Sequence, residues 1–134
     1  MSNKLLSLLT IIMLVSTFNC RAFSQTTAEI TKGNCKACIT ECQKTLDYCA
    51  QQKGRYNEAS VTAALKDCIS ACTMTQDLLA RSSTLQAKAV AFCVDSCNNC
   101  AKSCESFKDD NAMRACADEC RKCAGNCQKI KAGP

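Results

Sequence analysis

The chain has no histidine and no tryptophan, and its 134 residues include one proline, four glycines, two tyrosines and four phenylalanines. Without histidine, the common mixed cysteine and histidine zinc sites and haem attachment through C-x-x-C-H are both excluded. The same absence leaves no histidine base to activate a nucleophile, so we expect no enzymatic activity. One proline and four glycines are too few for a loop-rich fold, and this scarcity of helix breakers favours a single helical domain.

The N-terminus has the pattern of an export signal. Lys4 supplies positive charge, the run LLSLLTIIMLV is apolar but too short to span a bilayer, and AFS precedes a plausible cleavage point. We therefore predict that residues 1–24 are a cleaved signal peptide and that residues 25–134 form the mature domain. This places the protein outside the cytoplasm, in the periplasm or an equivalent compartment.

Cys20 offers a competing interpretation as a lipidated cysteine, but the Thr-Phe-Asn before it makes a poor lipoprotein site. No second apolar run follows, so we expect no membrane span after signal removal. Removal of the signal lowers the net charge from +5 to +3, because this segment contains Lys4 and Arg21 and no acidic residue. Basic and acidic residues alternate along the rest of the chain, which argues against a nucleic-acid-binding surface.

Against these absences stand fifteen cysteines. The segments CVDSCNNCAKSC, from Cys93, and CADECRKCAGNC, from Cys116, have the same spacing, in which C-x3-C and C-x2-C alternate. Steps of four and three residues return a side chain to one face of an α-helix. The thiols therefore form stripes, and stripes of this period are what helical bundles bury.

Four such patterns predict four helices joined by short connections, an all-α antiparallel up-down four-helix bundle with a cysteine-lined core. The helices are predicted over about Asn34–Lys53 with Asn34 as N-cap, Asn57 or Ser60 to Arg81, Thr84–Phe107, and from an Asp110 or Asn111 cap onwards. Counting residues along each helix gives layers of four: Cys49/Val61/Cys104/Cys116, Thr45/Leu65/Cys100/Cys120, Cys42/Cys68/Cys97/Cys123 and Cys38/Cys72/Cys93/Cys127.

The buried thiols require a chemical explanation, because larger apolar residues fill a core better. A disulfide-stapled exported structural or interaction domain is one alternative, although cysteines on one helix face have poor geometry for such bonds. Thiolates alone select soft metals: Cu(I), zinc or iron in sulfide clusters. Cu(I) is favoured because each ion can take two thiolates and each thiolate can bridge two ions. The number of bound Cu(I) ions then approaches one per cysteine, and the positive charges of the ions cancel the negative charges of the thiolates. Four-thiolate zinc sites, in contrast, carry net negative charge.

At this point the chain resembles the four-helix-bundle cysteine-rich family that includes the bacterial copper storage proteins. CKACITECQKTLDYC, CISACTMTQDLLARSS and the two longer stripes carry the resemblance, which covers nearly the whole mature chain. It implies interior cysteines that bind many Cu(I) ions, a storage or sequestration role with a copper donor or acceptor as partner, and often a homotetramer. The family often places histidine and methionine near the open end of the bundle; this chain has no histidine there, and Met113, one step above Cys116, is the best candidate for a thioether at that end.

The predicted metal ligands are the following fourteen cysteines and one methionine: Cys35, Cys38, Cys42, Cys49, Cys68, Cys72, Cys93, Cys97, Cys100, Cys104, Met113, Cys116, Cys120, Cys123 and Cys127. Thiolate zinc binding and the disulfide scaffold remain the alternatives to Cu(I).

Overall fold

Four long helices make up the fold in a computed structural model that describes residues 2–131, with side chains described for residues 27–130. In chain order the elements are α1 (Ser2–Gln52), a short 3-10 helix (Gly54–Asn57), α2 (Ala59–Ala80), α3 (Gln86–Glu105) and α4 (Asn111–Lys131). No strand occurs within residues 2–131. The predicted signal peptide and Cys20 lie outside the residues whose side chains are described.

The helices form the predicted antiparallel square. Each helix packs on two neighbours, in the pairs α1–α2, α2–α3, α3–α4 and α1–α4. Contacts between neighbouring helices run in opposite senses along the chain: Cys68 meets Cys97, whereas Cys72, one turn later, meets Cys93. Short connections impose this arrangement, because a chain that reverses within a few residues can only return beside the helix it has left.

The start of α4 is the one helix boundary with a side-chain cap predicted from sequence and found in the structure. The Asp110 carboxylate accepts a hydrogen bond from the backbone N–H of Met113, 2.9 Å away. This N–H belongs to the first turn, where no backbone carbonyl is within reach, so the carboxylate satisfies a donor that would otherwise be unpaired.

Asn34 is not a helix N-cap, which corrects the prediction for the first helix. α1 runs through this position, and the Asn34 side-chain amide donates to the carbonyl of Ile30, one turn earlier, at 2.7 Å. The residues before Asn34 are compatible with helix, and Glu29 and Lys32 form an ion pair one turn apart. The free-energy cost of one glycine inside a helix is too small for Gly33 to end α1, because the residues that follow Gly33 are packed in the bundle.

The α1–α2 linker, residues 53–58, is more structured than a simple turn. Lys53 and Gly54 have positive φ angles of 61° and 57°, which end α1 and reverse the chain. The 3-10 helix that follows lies against the α3–α4 connection, where Arg55 donates to the Ser106 carbonyl at 3.0 Å and its guanidinium lies 4.1 Å from the centre of the Phe107 ring.

The linker changes the predicted register of one helix. Pairs such as Cys68–Cys97 and Cys93–Cys127, both at 3.6 Å between Sγ atoms, are the predicted same-layer pairs of α2, α3 and α4. Cys38, however, contacts Cys68 at 3.6 Å, where the layer count predicted Cys42. α1 is therefore displaced toward the linker by about four residues, the spacing from Cys38 to Cys42. The displacement arises because the 3-10 helix lies between the end of α1 and the start of α2 at Ala59.

The core contains little hydrocarbon. All fourteen described cysteines are fully buried. The apolar residues around them are few, and the largest fully buried ones are Leu65, Met113 and Val90. Sulfur thus occupies the space that leucine and isoleucine fill in most domains of this size.

We expect Asp110→Ala to lower the free energy of unfolding of the reduced, metal-free protein by at least about 1–2 kcal/mol, because it removes the N-cap of α4 and the carboxylate that accepts the Tyr48 and Tyr56 hydroxyls. Urea denaturation followed by far-ultraviolet circular dichroism measures this change. Asp109→Ala is the matched control, because this neighbouring carboxylate is exposed and its loss should change stability by less than about 0.5 kcal/mol. Equal effects of the two substitutions would contradict a capping role for Asp110.

Candidate metal centre

The four helices contribute unequally to a shared column of sulfur atoms. α1, α3 and α4 each supply four of the described cysteines, whereas α2 supplies two, Cys68 and Cys72. Every one of these side chains is turned inward and has no solvent-exposed surface. The sequence prediction of the buried face is therefore confirmed for all fourteen positions, although burial alone does not assign a ligand role.

Neighbouring sulfur atoms along the column lie between 3.6 and 4.0 Å apart. Contacts connect all four helices: Cys42 on α1 lies 3.9 Å from Cys116 on α4, and Cys72 on α2 lies 3.7 Å from Cys97 on α3. These distances exceed the roughly 2 Å of a disulfide bond, and the described cysteines are free thiols. The disulfide-stapled alternative finds no support in the described part of the chain.

Within the column, four sets of four thiols have all their sulfur atoms within 4.8 Å of one another. The sets are Cys35/Cys93/Cys123/Cys127, Cys38/Cys72/Cys97/Cys123, Cys38/Cys42/Cys68/Cys120 and Cys42/Cys100/Cys116/Cys120. Adjacent sets share one or two cysteines, so the sulfur atoms form a connected series and not isolated clusters. A soft ion bound at one set is therefore next to ligands of the following set.

Cys49 and Cys104 lie outside these four sets. The Cys49 sulfur lies 3.8 Å from the thioether sulfur of Met113, which is itself fully buried. Burial, followed by the charge of Cys116, raises the pKa of Cys49. The Cys104 thiol interacts with the thiols of Cys100 and Cys116, and the first of these contacts contributes most to raising its pKa. The column thus ends, on this side, in a thiol and a thioether.

Hydrogen bonds among the thiols shift their pKa values in opposite directions. The bond with Cys123 raises the pKa of Cys72, whereas the bond with Cys120 lowers the pKa of Cys38. The bond with Cys127 is the main cause that lowers the pKa of Cys123 to about 6. A thiol that accepts S–H groups is stabilised as a thiolate, while the neighbour that donates keeps its proton. The pKa values of neighbouring core thiols therefore depend on one another and are shifted in opposite directions by their shared hydrogen bonds.

The aromatic residues beside the Cys49–Met113 pair were not identified from sequence. The Tyr48 and Tyr56 hydroxyls both donate to one carboxylate oxygen of Asp110, at 2.6 and 3.0 Å. This contact raises the pKa of Tyr48 to about 12. The Tyr56 ring also packs on Phe107, with ring centres 4.6 Å apart. These side chains cover the linker end of the bundle. No periodic signal reveals them, because they come from a linker, a turn and one outer helix face.

Within the part of the chain that the structure describes, none of the helices combines the length and the hydropathy that a membrane span requires.

Residues 20–132 match the protein family described as Csp, copper storage protein. Among solved structures, the Nmul_A1745 protein from Nitrosospira multiformis is similar with a TM-score of 0.74 and 26% identity, over 81% of this chain and 97% of that one. The Cu(I)-bound copper storage protein BsCsp3 is similar with a TM-score of 0.73 and 21% identity, over 78% of this chain and 98% of that one. The likeness to BsCsp3 shows the fold. No curated protein matches the chain.

Burial predicts that the core thiols are chemically protected while the protein is folded. In the reduced, metal-free protein, the fourteen core thiols should react with dithiobis(nitrobenzoate) at least about tenfold more slowly in buffer than in concentrated urea, because reaction requires local opening of the bundle. The absorbance of the released nitrothiobenzoate measures both rates. Equal rates in buffer and in urea would show that the thiols face solvent.

Proposed function

Because the chain belongs to the copper storage protein family, we propose that it stores or sequesters Cu(I) on the cysteine thiolates inside its four-helix bundle. The observation that carries this proposal is a connected series of twelve thiols along the bundle, in which each sulfur atom lies 3.6–4.0 Å from at least one other. A continuous series suits ions that share ligands, since each thiolate can bridge two of them.

Charge balance supports a monovalent cargo. Each thiolate carries one negative charge and each Cu(I) one positive charge, so loading at about one ion per cysteine leaves no large net charge in the interior. This matters because uncompensated charge is costly to bury. Thiolate and thioether sulfur are also the ligands that Cu(I) prefers, and the described core offers no imidazole or carboxylate to compete with them.

We assign the ligand role to the fourteen buried cysteines from Cys35 to Cys127 and to Met113. The thiols become sparser toward the linker end, where Thr45, Val61 and Leu65 occupy inward positions. Copper density should fall in the same direction, ending at the Cys49–Met113 pair. The role is storage without catalysis, because thiolates buried and bound to metal are poor nucleophiles.

Two further aspects of the proposal rest on sequence and on family resemblance. We propose that residues 1–24 direct export and are removed, so that the protein holds copper in the periplasm or an equivalent compartment, with a separate copper donor or acceptor. We also propose a homotetramer. The exposed apolar side chains of Met74 and Leu85, which border one shallow groove on α2 and the start of α3, are compatible with self-association.

Titration of the reduced protein with Cu(I) against a competing chelator tests the storage role. We expect uptake of roughly ten or more ions, approaching one per core cysteine. Replacing Cys97 and Cys123, which belong to one four-thiol set, with serine should lower the capacity by about two ions and leave the helix content of the metal-free protein nearly unchanged.

The matched control for this double variant is Ala101→Ser with Ala124→Ser. Both alanines are buried on the same two helices as the replaced cysteines, so the control adds two buried hydroxyls and removes no thiol. Its copper capacity should equal that of the unmodified protein. Uptake of only one or two ions by the unmodified protein would contradict storage, and an undiminished capacity of the cysteine variant would contradict the assignment of that pair.

Copper loading should also raise the melting temperature by about 10 °C or more, because ions bound only by the folded bundle stabilise it through mass action. Thermal denaturation followed by circular dichroism, with and without Cu(I), measures the shift. An unchanged melting temperature in a protein that has taken up copper would place the copper on the surface and not in the core.

A further inference from the structure

Two of the four thiol sets repeat each other along the bundle. Each contains one cysteine from α1, one from α3 and a C-x3-C pair from α4, and α2 contributes to neither. The sets are Cys35/Cys93/Cys123/Cys127 and Cys42/Cys100/Cys116/Cys120. Every member of one set lies seven residues from its counterpart in the other, so the two sets are separated by one heptad, or about 10 Å. We call them the lower and the upper tetrad.

The measured sulfur–sulfur distances within each tetrad are close to those of a tetrahedral four-thiolate site. With a metal–sulfur bond of about 2.3 Å, as for zinc, the sulfur atoms of a tetrahedron lie about 3.8 Å apart. In the upper tetrad the Cys42 sulfur lies 4.0, 3.9 and 3.7 Å from those of Cys100, Cys116 and Cys120. In the lower tetrad the Cys35 sulfur lies 3.9 Å from that of Cys123 and the Cys93 sulfur lies 3.6 Å from that of Cys127, and all the other pairs are within 4.8 Å.

The four-thiol sets between the tetrads limit how many such ions fit. Both intermediate sets contain Cys38, and each shares at least one thiol with a tetrad. At most two of the four sets can therefore be filled without two ions sharing a sulfur. The two tetrads are the pair farthest apart, which minimises the repulsion between two bound ions and their ligands.

Four intermediate thiols can offset the charge of the filled tetrads. A divalent ion with four thiolates carries two net negative charges, which are costly to bury without donors nearby. Cys38 and Cys68 lie 3.8 and 3.9 Å from Cys120 of the upper tetrad. When Cys120 loses its proton to a bound ion, the Cys38 and Cys68 thiols can direct their S–H groups at the bound thiolate, as outer-sphere donors do in other metal sites.

The lower tetrad has the same support. Cys72 lies 3.6 Å from Cys93 and 3.8 Å from Cys123, and Cys97 lies 3.9 Å from Cys93. The thiols that surround both tetrads are thus Cys38, Cys68, Cys72 and Cys97. They belong to the copper column under the proposed function, yet with a divalent ion they act as neutral donors.

We infer that the bundle contains two preformed tetrahedral sites, the lower and the upper tetrad, that each bind one soft divalent cation of the Zn(II) and Cd(II) class. Binding replaces four thiol protons with one ion, and the protons are released to solvent. The chain therefore binds two divalent ions, and this number does not depend on how many Cu(I) ions the same thiols bind when copper is supplied instead. This inference uses the same thiols as the proposed function but predicts a different cargo, geometry and stoichiometry.

Titration of the reduced, copper-free protein with Cd(II) tests the inference, because the sulfur-to-cadmium absorption band counts ions bound to thiolate. We expect saturation at two ions per chain, with cadmium nuclear magnetic resonance shifts in the four-sulfur range. Saturation at none, at one, or well above two would overturn the inference.

A matched pair of variants separates the tetrads from the rest of the column. Cys68→Ser with Cys72→Ser removes two thiols and leaves both tetrads intact, so it should still bind two Cd(II) ions. Cys42→Ser with Cys123→Ser also removes two thiols but takes one from every one of the four sets, so its four-sulfur cadmium signal should disappear. Loss of an ion from the first variant, or two four-sulfur ions in the second, would refute the assignment.

Copper titration of the same two variants keeps the inference distinct from the proposed function. Each variant lacks two thiols, so each should lose about two Cu(I) ions, without the contrast expected for cadmium. Normal copper uptake with no cadmium binding would refute the divalent sites and leave storage standing; two cadmium ions with no copper uptake would refute storage alone. If circular dichroism shows that the second variant does not fold, the number of Cd(II) ions bound by the first variant tests the inference: two ions support it, and fewer refute it.

Discussion

The packing of sulfur against sulfur on the bundle axis is the constraint from which the rest of the structure follows. A buried thiol is small and only weakly polar, so the four helices can approach until their Sγ atoms are 3.6–4.0 Å apart. The same closeness couples the thiols electrostatically, because each S–H group or thiolate lies within reach of several others. Close helix packing and metal binding therefore both favour the same sequence pattern, with a cysteine at every third or fourth position of a helix.

The two ends of the column illustrate how the bundle limits this arrangement. At the linker end the sulfur series stops at Cys49 and Met113, and beyond them a hydrogen-bonded group of tyrosines converges on Asp110. Asp110 also caps α4, so a single carboxylate fixes both a helix terminus and the residues that cover the core. At the other end the Thr75 hydroxyl donates to the Ala89 carbonyl, and this side-chain-to-backbone hydrogen bond replaces a sulfur contact between α2 and α3.

The fold and the identity of the buried face could be predicted from the sequence because both depend on local periodicity. Stripes with steps of three and four specify the inward face of a helix without knowledge of its neighbours, and all fourteen described cysteines lie on that face. Relative helix height is different. It depends on the conformation of residues 53–58, where a positive φ at Lys53 and a 3-10 helix shift α1 by about one step.

The site was predictable to the same degree as the fold. Which thiols are buried followed from the stripes, but which four share a set followed only from the true register, since a shift of one step changes every partner of an α1 cysteine. Asn34 and the tyrosines around Asp110 show a further limit. A side chain that bonds to the preceding turn, or to a residue 62 positions away, does not affect the periodicity of the sequence.

The scarcity of thiols on α2 has a consequence for the empty protein. The inner face of this helix is mostly hydrocarbon, with Val61, Leu65 and Leu79 around its two cysteines. Small zinc domains collapse without their ion because little else holds them together. In this protein ordinary apolar contacts hold α2 against the other helices. Metal ions can therefore leave the core and be replaced while the bundle stays folded.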